Sequence, residues 1–234
     1  MKATLLDIEG TTTPITFVFD VLFPYARRHF AGYLERNTAS REVGADLAAL
    51  RQEHEKDVRE GLQPPDLNNG ILEYIYWLMD KNSKSRALKS LQGKIWKEGY
   101  AKDELKATVF PDVRPALERW FASGINVSIF SSGSVLAQQL LFSHTEEGDL
   151  TKFIKNYFDT AVGKKTEVPS YQRISERLSL APHQIHFVSD VLAELDAAKS
   201  SGMQTSLCIR PGNAEQEPST EHHTVYALSE LRVH

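Results

Sequence analysis

The chain has 234 residues, 41% of them hydrophobic and 25% charged, with a formal net charge of -4. This is the composition of a soluble globular protein, and without a basic stripe it excludes the phosphate-neutralising surface that nucleic-acid binding requires. No run approaches the roughly 18 apolar residues of a membrane span, and a single cysteine, Cys208, excludes an intrachain disulfide.

Residues 3–6, Ala-Thr-Leu-Leu, read as a short strand apolar on both faces, as in a parallel sheet covered by helices. Asp7 ends it, and Gly10 to Pro14 forbid its continuation. The next ninety residues repeat near 3.6. Phe17 to Arg36 reads as a helix with Phe19, Leu22, Phe23, Ala26 and Phe30 on or near one face. Gly44 to Arg59, Asn69 to Lys81 and Ser85 to Tyr100 read as three more helices, with Glu53 to Glu60 as a solvated face. Trp77, Trp96 and Tyr100 read as core.

After Phe110-Pro111 the alternation of helix and strand returns. Asp112 is the expected N-cap of a helix through Phe121, closed by Gly124. Ile125 to Phe130 is a strand ending at Ser131-Ser132-Gly133-Ser134, before a helix carrying Val135, Leu136, Leu140 and Leu141. Phe158 to Val162 is a strand candidate before Gly163-Lys164-Lys165, and Ser170 to Leu178 a helix. His186 to Val188 is a strand ending at Ser189-Asp190, followed by a helix from Val191 to Ser201 and Gly202. Thr205 to Ile209, which contains Cys208 as a small buried hydrophobe, is the last clear strand. Residues 212–223 read as a solvated loop in which His222 and His223 find no partners at zinc-ligand spacing. The expected architecture is a doubly wound α/β parallel sheet, residues 1–16 and 108–234, interrupted by a helical insertion, 17–107.

Ligands of open parallel sheets bind beyond the carboxyl ends of the strands. Four strand ends here carry polar groups: Asp7 with Glu9, Ser131 with Ser132, Lys165, and Asp190. Asp7 and Asp190 are hard oxygen donors suited to hydrated Mg2+. Glu9, in a turn, has the reach to serve a leaving oxygen. Ser131 and Ser132 supply donors for phosphoryl oxygens, and Lys165 supplies positive charge.

The same residues carry a resemblance. Asp7-Ile8-Glu9-Gly10-Thr11, the run ending at Ser131, Lys165 and the acidic end at Asp190 resemble the four motifs of the haloacid dehalogenase superfamily. That superfamily commonly has Asp where this chain has Glu9. Asp-Ile-Glu-Gly-Thr-Thr, Ile129 to Ser134 and Ile209-Arg210-Pro211-Gly212-Asn213 resemble its enolase-phosphatase (acireductone synthase) branch. The resemblance spans nearly the whole chain, the helical cap included. It implies a two-step reaction, enolisation and then dephosphorylation, of 2,3-diketo-5-methylthiopentyl-1-phosphate in methionine salvage. It further implies Asp7 as nucleophile through an aspartyl-phosphate and Glu9 as acid and base. Asp7, Asp190 and the Glu9 carbonyl would hold Mg2+, and Ser131, Ser132 and Lys165 the phosphate.

Other readings stay open at this point. Lys164 rivals Lys165, although the resemblance favours Lys165. The serines and Asp190 suit helix N-caps, and Glu194, four residues after Asp190, reads as a supporting partner of the site or, preferred here, as a surface acid on its helix. Another capped phosphatase, or a binding protein that retains an unused site, would present much the same sequence. With no exposed heptad, no membrane segment and an N-terminal run too short for a signal peptide, a cytoplasmic monomer is expected.

Overall fold

The computed structural model describes residues 1–213 and 215–231. Ala214, in the expected loop 212–223, and residues 232–234, at the end of the expected core, lie outside the described residues. The chain divides into two compact units, residues 1–18 with 106–234 and residues 19–105.

The first unit is built on β1 (Ala3–Leu6), β2 (Asn126–Phe130), β3 (Ile154–Phe158), β4 (Ile185–Ser189), β5 (Gln204–Cys208) and β6 (His223–Val225). They form one six-stranded sheet in the order β3-β2-β1-β4-β5-β6, every pair parallel. Ala3 pairs with Asn126 on one side and Ile185 on the other. The strand order reverses between β1 and β4, which opens a crevice at their carboxyl ends. All four residues of β1 are buried, explaining its unbroken apolar run. The crossover helices are α5 (Val113–Ala122), α6 (Val135–Ser143), α7 (Val168–Leu178) and α8 (Leu192–Ser200). The apolar faces of α7 and α8 close a core that includes Leu5, Phe130, Tyr171, Phe187 and Leu195.

Three expectations are corrected in this unit. The third strand is Ile154–Phe158, and 159–162 turn instead, with the Asp159 carboxylate accepting from the Ala161 amide at 2.8 Å. The expected loop ends in β6, which pairs through Ser206 with His223 and Cys208 with Val225. Asp112 precedes α5 but does not cap it. Its carboxylate instead takes the Arg210 guanidinium at 2.9 and 3.0 Å and the Leu228 amide at 2.6 Å.

The second unit is helical: α1 (Phe23–Arg36), α2 (Arg41–Arg59), α3 (Leu72–Asp80) and α4 (Arg86–Ala101). Ser40 and Ser85 cap α2 and α4, each hydroxyl accepting an amide of the first turn. Phe30, Leu50, Tyr74, Ile75 and Leu91 are fully buried. Gly99 lets α4 approach α1, since a Cβ there would lie 2.7 Å from the Tyr25 ring. Trp96 and Tyr100 are buried as expected, and the Trp96 indole donates to the Leu22 carbonyl. The acidic run on α2 is not wholly solvated, because Glu53 accepts from Ser85 and Asp57 from Tyr74. Residues Phe17–Leu22 form a π-helix, not the start of an α-helix. Its wider turn carries Phe19 off the apolar face, leaving it 47% exposed.

Candidate active site

The turn after β1 is wound around one carbonyl. The Ile8 oxygen accepts from the amides of Thr11, Thr12 and Thr13 at 3.2, 2.9 and 2.9 Å, and the Thr12 hydroxyl donates to the Asp7 carbonyl. Gly10 sits at φ +74°, a conformation that L side chains rarely adopt. Space requires glycine as well, since a Cβ there would stand 2.7 Å from the Asp190 carboxyl carbon. The Asp7 amide donates to the Val188 carbonyl of β4, which continues the ladder and fixes Asp7 at the sheet rim.

Asp7 is buried, and both carboxylate oxygens are held. Oδ1 receives the Ile8 amide at 2.7 Å and lies 2.6 Å from Lys165 Nζ, while Oδ2 accepts from the Ser189 hydroxyl at 3.2 Å. Lys165 Nζ also lies 2.6 Å from Glu194 Oε2, to which Ser189 directs its hydroxyl at 3.0 Å. Burial alone would lower the Lys165 pKa, but the Asp7 and Glu194 carboxylates outweigh it and hold the ammonium charged. Lys165 lies well beyond the end of β3, not just past a strand. The start of α7 fixes its loop: the Tyr171 hydroxyl donates to the Lys165 carbonyl and Ser170 to that of Lys164, both at 2.6 Å. Lys164 is exposed and pairs with Glu167.

Glu9 is raised above the ordinary carboxyl range by burial and then by the Asp7 charge. The Ser131 hydroxyl donates to its Oε2 at 3.3 Å. Ser131, at the end of β2, is held by its amide to the Phe158 carbonyl and by the Gly133 amide on its Oγ. Ser132 follows it, half-buried. Ser134, not Ser131 or Ser132, caps α6.

Asp190 is buried at the end of β4 and does not cap α8. Burial and then the Asp7 charge push its pKa up to about 7. The same two causes push Glu194 up to about 7. Sequence reading left Glu194 on the surface, whereas its partners here are Lys165 and Ser189. The one available signal was its spacing four residues after Asp190, which a short α-helix start brings back to the rim. His222, read as part of a polar loop, is buried away from this rim, with its ring nitrogens on Thr205 and Asp196 at 2.8 and 3.1 Å.

The rim thus gathers Asp7, Glu9, Asp190 and Glu194 around a single ammonium. Such a set favours a cation and an anionic ligand with it. Asp7 and Asp190 offer hard carboxylate oxygens, and buried Thr11 Oγ1, Thr13 Oγ1 and Asn213 Oδ1 have no hydrogen-bond partner among the described residues. Two carboxylates with nearby neutral oxygens fit a hydrated hard cation.

The haloacid dehalogenase-like hydrolase profile matches residues 1–202. Enolase-phosphatase E1 of Synechococcus elongatus is 51% identical over 97% of this chain and 96% of its own length. A probable bifunctional methylthioribulose-1-phosphate dehydratase/enolase-phosphatase E1 of Arabidopsis thaliana is 46% identical over 97% of this chain, which matches 47% of that longer protein. Among solved structures, the UTR4 protein of Saccharomyces cerevisiae superposes with a TM-score of 0.81 at 34% identity, covering 98% of this chain and 99% of that one.

Proposed function

Because the chain belongs to the haloacid dehalogenase-like hydrolases and, within them, to the enolase-phosphatases, we propose that it converts 2,3-diketo-5-methylthiopentyl-1-phosphate to the acireductone and inorganic phosphate. The observation that carries the chemistry is the buried contact of Lys165 Nζ with Asp7 Oδ1 at 2.6 Å, at the switch point of the sheet. A carboxylate held there beside fixed positive charge supports Asp7 as the group that attacks phosphorus.

Asp7 and Asp190 would hold Mg2+ through their carboxylates and Glu9 through its carbonyl, a donor set that suits a hard cation. When bound, it neutralises charge between nucleophile and phosphate. Enolisation precedes phosphoryl transfer. Asp7 then attacks phosphorus, the bond from phosphorus to the ester oxygen breaks, and an aspartyl-phosphate forms. Glu9 gives its proton to the leaving oxygen, a role its burial favours. It then takes a proton from the water that cleaves the acyl phosphate, which frees Asp7 and releases phosphate. Ser131, Ser132 and Lys165 hold the phosphoryl oxygens. The division into a helical cap, 17–107, and a core of 1–16 with 108–234 belongs to the same proposal.

The test is Asp7→Asn, which keeps shape and removes the nucleophile. Phosphate release is expected to fall by at least about 10⁴-fold with the circular dichroism unchanged. Near wild-type turnover would remove the covalent route. With the diketone phosphate, enol absorbance should rise before free phosphate. Phosphate without that signal, together with faster turnover of another ester, would instead indicate a phosphatase of different substrate class.

A further inference from the structure

The loop after β5 returns to the rim and touches both sides of the site. Arg210 Nε donates to the Thr11 carbonyl at 3.1 Å. The Asn213 side-chain amide donates to the Gly10 carbonyl at 2.8 Å and to Asp190 Oδ2 at 3.4 Å. Gln216 Nε2 donates to the Asp190 carbonyl at 2.8 Å. Main chain and carboxylate of Asp190 are therefore both held from this loop, which also grips the turn that carries Asp7 and Glu9.

The chemistry of Asn213 fixes its orientation. The Gly10 carbonyl, its nearer partner, can only accept, so the NH2 must face it. Oδ1 then points the other way, buried and without a hydrogen-bond partner among the described residues. A lysine or arginine at this place would neutralise Asp190 and compete with a metal cation, and an aspartate would repel it. A neutral amide orients the acid while leaving its charge available. Gly10 makes the approach possible, since a Cβ there would stand 2.8 Å from Asn213 Nδ2.

We propose that Asn213 is a positioning residue for the metal ligand Asp190, tying that carboxylate to the Gly10 turn. This rests on the assignment of Mg2+ to the site made above. Partners that orient a metal ligand are typically worth 10–100-fold in metal affinity.

The test is calorimetric titration of the metal-free, full-length protein with Mg2+. Asn213→Ala is expected to weaken Mg2+ binding at least about tenfold. Gln216→Ala, which frees only the Asp190 carbonyl, is expected to weaken it by about threefold, a smaller share of the same effect. Thermal melts should show that the rise in Tm caused by Mg2+ shrinks in Asn213→Ala, while Tm without Mg2+ changes little. Equal losses of Tm with and without Mg2+, at unchanged affinity, would reduce Asn213 to a structural tie and overturn the proposal. Wild-type affinity in both variants would do the same, and Gln216→Ala decides alone if Asn213→Ala does not fold. A wild-type protein that binds no Mg2+ would overturn the metal assignment itself, and this inference with it.

Discussion

The two units spend polarity differently. Among the described residues the buried charged side chains, Asp7, Lys165, Asp190 and Arg210, all belong to the α/β unit. In the helical unit the buried polar side chains are Ser85 and Gln92. Most of its ion pairs, such as Arg27 with Asp80, stand in solvent, whereas Lys94 with Asp46 is partly shielded. Burying charge is costly unless it is compensated. Arg210 is matched by Asp112, and Lys165 by two carboxylates. Asp190 has a neutral amide and no cation at hydrogen-bond distance, and burial pushes its pKa up to about 7. The α/β unit carries cost where chemistry needs it, whereas the helical unit is held by apolar packing.

The sharpest way to break this contrast is Lys165→Met. It leaves Asp7 and Glu194 facing each other in a buried rim. Phosphate release should fall at least about 10³-fold, and stability by about 3–5 kcal/mol in urea unfolding. Little change in either would show that the rim charges are not coupled. In the helical unit the comparable loss should come from an apolar truncation. Leu50→Ala should cost about 2–5 kcal/mol through its cavity, and a loss under about 1 kcal/mol would mean that bundle packing is not what holds this unit.

A third test uses His186 on β4, whose pKa is lowered from 6.5 to about 4 by burial and then by His223. The unfolded chain therefore binds the proton more readily than the folded one. The contribution is fully present above pH 6.5 and lost as pH falls toward about 4. Wild type should lose on the order of 1–3 kcal/mol more than His186→Gln across that window. Parallel stability curves for the two would reject it. The smallest effect belongs to the surface of the helical unit. Arg27→Ala should cost under about 1 kcal/mol and fade with added salt; a larger, salt-insensitive loss would undo the contrast.

Much of this architecture can be read along the chain, because strands buried on both faces need unbroken apolar runs and strand ends must turn. What sequence reading misplaced has physical reasons. In β3, Lys155 and Asn156 interrupt the apolar pattern in a strand at the sheet edge. β6 spans three residues, one of them exposed and one half-buried, so no alternation marks it. Asp112 has an N-cap's position, but Arg210, far along the chain, claims its carboxylate. Phe19 follows a period of 3.6 that the π-helix abandons. At the site, Asp7, Glu9, Ser131 and Asp190 stand where strands end. Lys165 and Glu194 join Asp7 only through the folding of a loop and the packing of α8, and for Glu194 the spacing from Asp190 is the one local trace of it.

The central place of β1 has a consequence for how the molecule comes into being. The strand that leads into Asp7 is made before the sheet's other strands, yet its two neighbours, β2 and β4, begin at Asn126 and Ile185. Loops of that length must close before β1 has any lateral partner. Asp7 is thus made early and assembled late: β1 gains its first neighbour only after Phe130 has been made, and its second only after Ser189.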